Sequence, residues 1–157
     1  MSNNLYPLGY TEETLTADEI SQTAAIGYRG GPTFDFSTGD FVRDGRNRIV
    51  ECSGIESWKS WCTKAILTGR YNHLAYSFDY GVELDEALAN SGKEEAESIL
   101  AREITEALLA DPYGRTQYVD TIDFSWNGPD SVAVSVTVRG IEDVTIDITA
   151  ELNRGET

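Results

Sequence analysis

The sequence is short of the residues from which most metal and nucleophile sites are built. It has one histidine, His73, and two cysteines, Cys52 and Cys62. Two cysteines make no disulfide framework, and with a single histidine elsewhere they fall short of a four-ligand zinc set. Both are expected to be reduced. No stretch reads as a P-loop, a dinucleotide fingerprint, a G-x-S-x-G nucleophile elbow or an EF-hand loop, so no catalytic set, metal or cofactor is expected. Lysine occurs only at Lys59, Lys64 and Lys93. Positive charge is scarce overall: 12 basic residues stand against 27 acidic ones, a formal net charge of −15. Such a surface repels nucleic acid and anionic membranes and suits a basic partner, a cationic interface or a salty medium. Long apolar runs are also missing. None approaches the ~20 residues that cross a bilayer. The opening MSNNLYPLGY lacks the basic-then-apolar order of a secretory signal. A protein made and kept in the cytoplasm, without membrane or nucleic-acid partners, is the expectation.

What is present describes one folded domain. At 157 residues, 40% hydrophobic and 25% charged, the chain can bury a single core. Residues 1–32 are polar and end in Gly30-Gly31-Pro32; they read as an arm, with one helical possibility over residues 16–25, where Thr16 caps and Glu19 follows. Residues 33–152 read as the domain and 153–157 as a tail. Within the domain, TFDFSTGDFVRDGRNRIV alternates Phe34 and Phe36 with polar residues and turns at Gly39 and at Asp44-Gly45, a hairpin pattern.

Two helices follow. Ser53 and Glu56 form a capping-box pair, after which Ile55, Trp58, Cys62, Ala65 and Ile66 recur at helical spacing up to Gly69. On this stripe Cys62 is a small core residue. Ser91 with Glu94 opens a second helix with the stripe Ala96, Ile99, Leu100, Ile104, Ala107 and Leu108, ending before Asp111-Pro112. The period then changes to two. Ile122, Phe124 and Trp126, then Val132, Val134, Val136 and Val138, then Val144, Ile146 and Ile148 alternate with polar or small residues around turns at Asn127-Gly128-Pro129-Asp130 and Gly140. The predicted fold is α+β: a three-stranded antiparallel C-terminal sheet, covered on one face by two amphipathic helices, with an N-terminal hairpin and arm.

Two features invite a chemical reading. Among 27 acidic residues some pair will resemble a glycosidase's acid and nucleophile, but that chemistry needs one carboxyl in apolar surroundings, and Glu83, Asp85 and Glu86 read as a solvated turn. The segment GRYNHLAYSFDYGVEL gathers an arginine, the histidine and four aromatics, which mark either a ligand pocket or packed connecting chain. His73 has no nucleophile or second histidine beside it and reads as a surface or structural residue.

The order of pieces from Thr33 to Leu152 resembles the XkdS-like baseplate proteins of PBSX-type prophages, relatives of the contractile-tail baseplate wedge family once labelled acidic lysozyme. The residues that carry it are ILTGRY at 66–71, YSFDYGVEL at 76–84, and the helix that ends in Ala110-Asp111-Pro112. The resemblance implies a structural wedge component that joins the inner baseplate and initiates the sheath. Its implied partners are other wedge proteins, the sheath protein and central hub or tube-end proteins, with assembly in the host cytoplasm and residence in the virion baseplate. Arg70 matches the arginine of the family's Gly-Glu-Arg turn, although here Gly69-Arg70 lacks the glutamate. Tyr76, Phe78 and Tyr80 become packing and docking aromatics and Gly81 a turn residue. The family's Glu-Pro-Arg motif is altered to Asp111-Pro112-Tyr113-Gly114-Arg115. The small sheet is similar to the strand-exchange part of sheath subunits, which implies that Val144, Thr145, Ile146, Asp147, Ile148 and Thr149 form an edge that receives sheath strands, blunted beforehand by Glu142, Asp143 and Asp147. The readings set against this one are a peptidoglycan-cleaving, lysozyme-like enzyme and an unrelated acidic binding module.

Overall fold

The computed structural model describes residues 27–154 apart from Leu74, Asn90 and Ser91; the helical possibility at 16–25 lies outside the described residues. The described residues begin with four short strands, β1 (Gly31–Pro32), β2 (Phe34–Asp35), β3 (Asp40–Phe41) and β4 (Glu51–Cys52). Strand β1 pairs with β4 and β2 with β3, both antiparallel. The turns are made by acidic side chains. Asp35 accepts from the backbone N–H and the hydroxyl of Ser37. Asp44 accepts from the N–H groups of Arg46 and Arg48, and these bonds hold both carboxyls below their usual range.

Helix α1 (Gly54–Leu67) starts with the expected reciprocal cap: the Ser53 hydroxyl accepts from the Glu56 N–H and the Glu56 carboxylate from the Ser53 N–H. Trp58, Cys62, Ala65 and Ile66 are buried as the stripe predicts. Ile55 is not; it is 42% exposed. The helix start is covered instead by Tyr28, whose backbone lies against Gly54 and whose ring packs at 5.2 Å on Trp58. Tyr28 belongs to the stretch that the sequence reading assigned to the arm.

The acidic stretch at 83–86 differs from the solvated turn expected. It enters a third helix, α2 (Leu84–Ala89), because Leu84 and Ala87 stand three apart and bury together while Asp85 and Glu86 face water. Helix α3 (Lys93–Leu109) buries Ala96, Leu100, Ile104, Ala107 and Leu108. Its N-cap is Gly92, which makes no side-chain cap bond, and the Ser91 expected there lies outside the described residues. Glu94 and Glu95 in the first turn favour the helix dipole.

The C-terminal sheet runs in the order β5 (Thr116–Trp126), β6 (Ser131–Gly140), β7 (Thr145–Asn153), all antiparallel, with a 3₁₀ turn at Ile141–Asp143 between the last two strands. Val132, Val134, Val136 and Val138 of β6 and Ile146, Ile148, Ala150 and Leu152 of β7 point into the core. Helix α1 packs on β7 and α3 on β5, so among the described residues the helical cover lies on one face. Where β6 ends, the backbone must pass beneath a large ring. A Cβ on Gly140 would meet the Trp58 ring at 2.5 Å and the Arg115 carbonyl at 2.9 Å, which is why glycine stands there.

Candidate functional site

The edge of the sheet beside β7 can be built from its hydrogen bonds. The Gly140 N–H donates to the Val144 carbonyl at 2.8 Å, and the Arg154 N–H to the Asp130 carbonyl at 2.9 Å. Both ends of the hairpin thus turn the even-numbered residues of this stretch toward β6. Backbone direction alternates along an antiparallel strand, so the N–H and C=O groups of Thr145, Asp147, Thr149 and Glu151 point away from the sheet. Among the described residues no strand other than β6 pairs with β7. The register with β6 is unbroken from Arg139↔Thr145 to Ser131↔Asn153.

The opposite edge, β5, is less regular. Its even residues Ile122, Phe124 and Trp126 point outward by the same alternation, anchored by the Asn127 N–H to Ser131 carbonyl bond of 3.0 Å. Its register shifts twice, between Thr116 and Tyr118 and between Val119 and Thr121. Such bulges bend and protect an edge.

Of the six edge residues named from sequence, Ile146 and Ile148 turn inward into the core, Thr145, Asp147 and Thr149 stand exposed, and Val144 is half-buried at the turn. The Asp147 carboxylate accepts from the Thr137 hydroxyl at 2.8 Å, and Glu151 accepts from the Ser131 hydroxyl at 3.1 Å. Asp143 pairs with Arg139 at 3.2 Å.

The GRYNHLAYSFDYGVEL segment forms a second surface. It is tied to the body where Gly69 bridges Val82, the Val82 N–H donating to the Thr68 carbonyl and the Arg70 N–H to the Val82 carbonyl. The Arg70 guanidinium is buried. Its Nε donates to the Gly81 carbonyl, and its Nη1 lies 3.0 Å from Glu103 and 3.4 Å from Glu106. The Glu103 contact is an ion pair without an aligned hydrogen bond. Gly81 has φ +96°, a left-handed value that glycine adopts cheaply.

Tyr80 is buried between Trp61 and Tyr76, at ring distances of 5.8 and 4.6 Å. Burial pushes its hydroxyl up to about 12. Tyr76 is 39% exposed and Phe78 81% exposed, so the three aromatics named together from sequence divide into one packing residue, one at the rim and one displayed to solvent. His73 is exposed, edge-on to Tyr76 at 5.6 Å. The Lys64 ammonium lies 5.8 Å from both the Phe34 and Tyr76 rings and joins this loop to the hairpin.

Sequence reading saw Asp111 and Arg115 only as an altered motif. They form a buried pair: Arg115 Nε donates to Asp111 Oδ2 at 2.8 Å and Nη2 to Oδ1 at 2.9 Å. The intervening turn passes through Gly114 at φ +61°. The D-x-x-x-R spacing around Pro and Gly was the available signal. Cys62 is buried, which pushes its thiol up to about 12, and Cys52 donates weakly to the Gly31 carbonyl at 3.3 Å. Both cysteines are free.

A known family accounts for most of the chain. The family model for the contractile injection system sheath initiator matches residues 32–143. The chain belongs to the sheath initiator family. It is therefore a structural baseplate component that initiates sheath assembly in a contractile injection system, acting through the sheath and other tail or baseplate proteins, with its place in the tail baseplate. The match takes in the hairpin, the three helices, β5 and β6, and β7 of this sheath initiator follows it. No curated protein matches the chain.

Proposed function

We propose that this sheath initiator starts the sheath by strand addition at β7, where Thr145, Asp147 and Thr149 present outward backbone groups to an extended arm of a sheath subunit. The observation that carries the reading is the contrast between the edges: β7 is registered without interruption over its length, whereas β5 is bulged twice. A straight strand with unpaired N–H and C=O groups is the template that strand addition requires. Exposed Glu142, Asp143 and Asp147 keep the edge soluble until its partner arrives.

In this proposal residues 33–152 form a wedge domain of the XkdS type. The N-terminal arm and the loop that displays Phe78 contact other wedge proteins and central hub or tube-end proteins; of the stretches read as arm and tail, Tyr28, β1 and Asn153 belong to the folded domain. Assembly takes place in the host cytoplasm before the baseplate joins the particle. The role is association without catalysis. Among the described residues the one carboxyl raised by burial, Glu83, borders a cleft of about 110 Å³, well below the ~300 Å³ at which ligand pockets begin.

The test is proline substitution. Proline removes a donor but is tolerated on the open side of an edge strand. Thr145→Pro and Asp147→Pro should fold and fail to start a sheath, while Thr145→Ala and Asp147→Ala assemble nearly normally. Sheathed tails counted by electron microscopy decide it: folded proline variants that assemble like the parent overturn strand addition at β7.

A further inference from the structure

The chemistry of the β7 edge specifies the strand it accepts. On its exposed face the strand presents Thr145, Asp147, Thr149 and Glu151. The two carboxylates stand four residues apart, roughly 13 to 14 Å along an extended chain. Their cross-strand neighbours on β6 are Thr137 for Asp147 and Ala133 for Glu151, and each carboxylate is held by a hydroxyl group, Asp147 by Thr137 and Glu151 by Ser131. Among the described residues neither has a cationic partner, although nearby positive charges exist. Arg139, opposite Thr145, is engaged by Asp120 and Asp143, and Arg154 lies near Asp130 and Asp85. Along β7 itself the unbalanced negative charge therefore sits at two positions with a fixed spacing.

Resting on the strand addition proposed above, we infer that the received strand carries lysine or arginine at two positions four residues apart, with apolar residues at the alternate positions between them. Residues directly opposite on neighbouring strands bring their Cβ atoms to ~4.5–5.5 Å, close enough for opposite charges to pair and like charges to repel. A spacing of four puts both basic side chains on the solvent face, over Asp147 and Glu151, whichever way the strand runs. The residue between them on the same face meets Thr149, where a β-branched partner fits. The alternate residues project to the helix side, beside buried Ile146, Ile148 and Ala150. Registry follows as well. A shift by two residues would set the basic side chains over Thr145 and Thr149 and lose both pairs.

The test uses the whole protein and three synthetic extended peptides with blocked ends. The first has lysine at two positions four apart with valine at the alternate positions, the second has glutamate in place of lysine, and the third has the lysines two apart. Titration at low salt, followed through the backbone amides of residues 145–151, should show the first peptide binding about ten-fold or more tighter than the second, and tighter than the third. The double variant Asp147→Lys with Glu151→Lys should reverse the preference between the first two. Asp147→Asn with Glu151→Gln should erase it. Equal binding of the lysine and glutamate peptides at β7, or a preference the lysine variant leaves unchanged, overturns the charge specificity while leaving strand addition standing. If no peptide perturbs these amides, strand addition at this edge falls and the specificity with it.

Discussion

Arg70 holds the carbonyl of Gly81 with its Nε at 3.0 Å, and the same guanidinium reaches Glu103 and Glu106 on α3. One side chain thus fastens the end of the exposed aromatic loop to the helical layer. The arrangement works only because Gly81 takes φ +96° and lets the Thr68 carbonyl approach to 2.7 Å of where a Cβ would stand.

Gly81→Val is expected to destabilise the protein by about 2 kcal/mol or more, from positive φ and the clash together. That corresponds to a fall in melting temperature of roughly 4 to 8 °C for a domain of this size. A thermal melt checks it, and an unchanged midpoint would mean that this turn relaxes freely.

Trp58 is fully buried under the β6 to β7 turn, and its indole N–H donates to the Thr116 hydroxyl at 3.1 Å. Trp58→Ala should cost about 3–5 kcal/mol. Trp58→Phe, which keeps most of the volume, should cost distinctly less. Urea denaturation of the two variants separates lost packing from the lost hydrogen bond.

The Asp111–Arg115 pair is enclosed on both sides, with two aligned hydrogen bonds. Breaking it from one side, by Arg115→Ala or Asp111→Ala, strands a buried charge and should cost about 3–5 kcal/mol. Replacing both with apolar residues of similar size should recover only part of that loss, because the Tyr113 and Arg115 backbone N–H groups also lose Asp111 as their acceptor. A double-mutant cycle in denaturant measures the coupling, and additive losses would contradict it.

Much of this was legible in the sequence because the relevant signals are periodic. Four valines at alternate positions in β6 and the Trp58-Cys62-Ala65-Ile66 stripe leave little choice of element or face. Helix α2 escaped because Leu84 and Ala87 supply two apolar positions among carboxylates, too few to show a period. Ile55 was misplaced because Tyr28, from a segment with no pattern of its own, covers that end of α1. The meander was legible, but the candidate edge on its last strand came from the family resemblance. Which backbone groups point outward, and that β5 is bulged, depend on hydrogen-bond parity and register, which composition and alternation do not encode.

Glu83 supplies a pH-dependent test. Burial first, and then the charges of Glu86 and Glu103, raise its carboxyl above the usual value, with Arg70 opposing them. A raised carboxyl disfavours its ionised form in the fold. The destabilisation is therefore present above the raised folded value and vanishes below the ordinary carboxylate value, where folded and unfolded states are both protonated. Glu83→Gln should melt higher than the parent at neutral pH, with the difference closing as the pH falls through that window. A variant that melts lower at neutral pH would show that the charge is favourable where it stands.

Strand addition at β7 is tested most directly by a density map of the assembled baseplate at the first sheath ring. The account predicts an extended segment of a sheath subunit beside β7 at the ~4.8 Å spacing of paired strands, bonded to the outward groups of Thr145, Asp147 and Thr149. A sheath segment paired to β5 instead, or sheath contacts that leave the β7 edge in solvent, would contradict it.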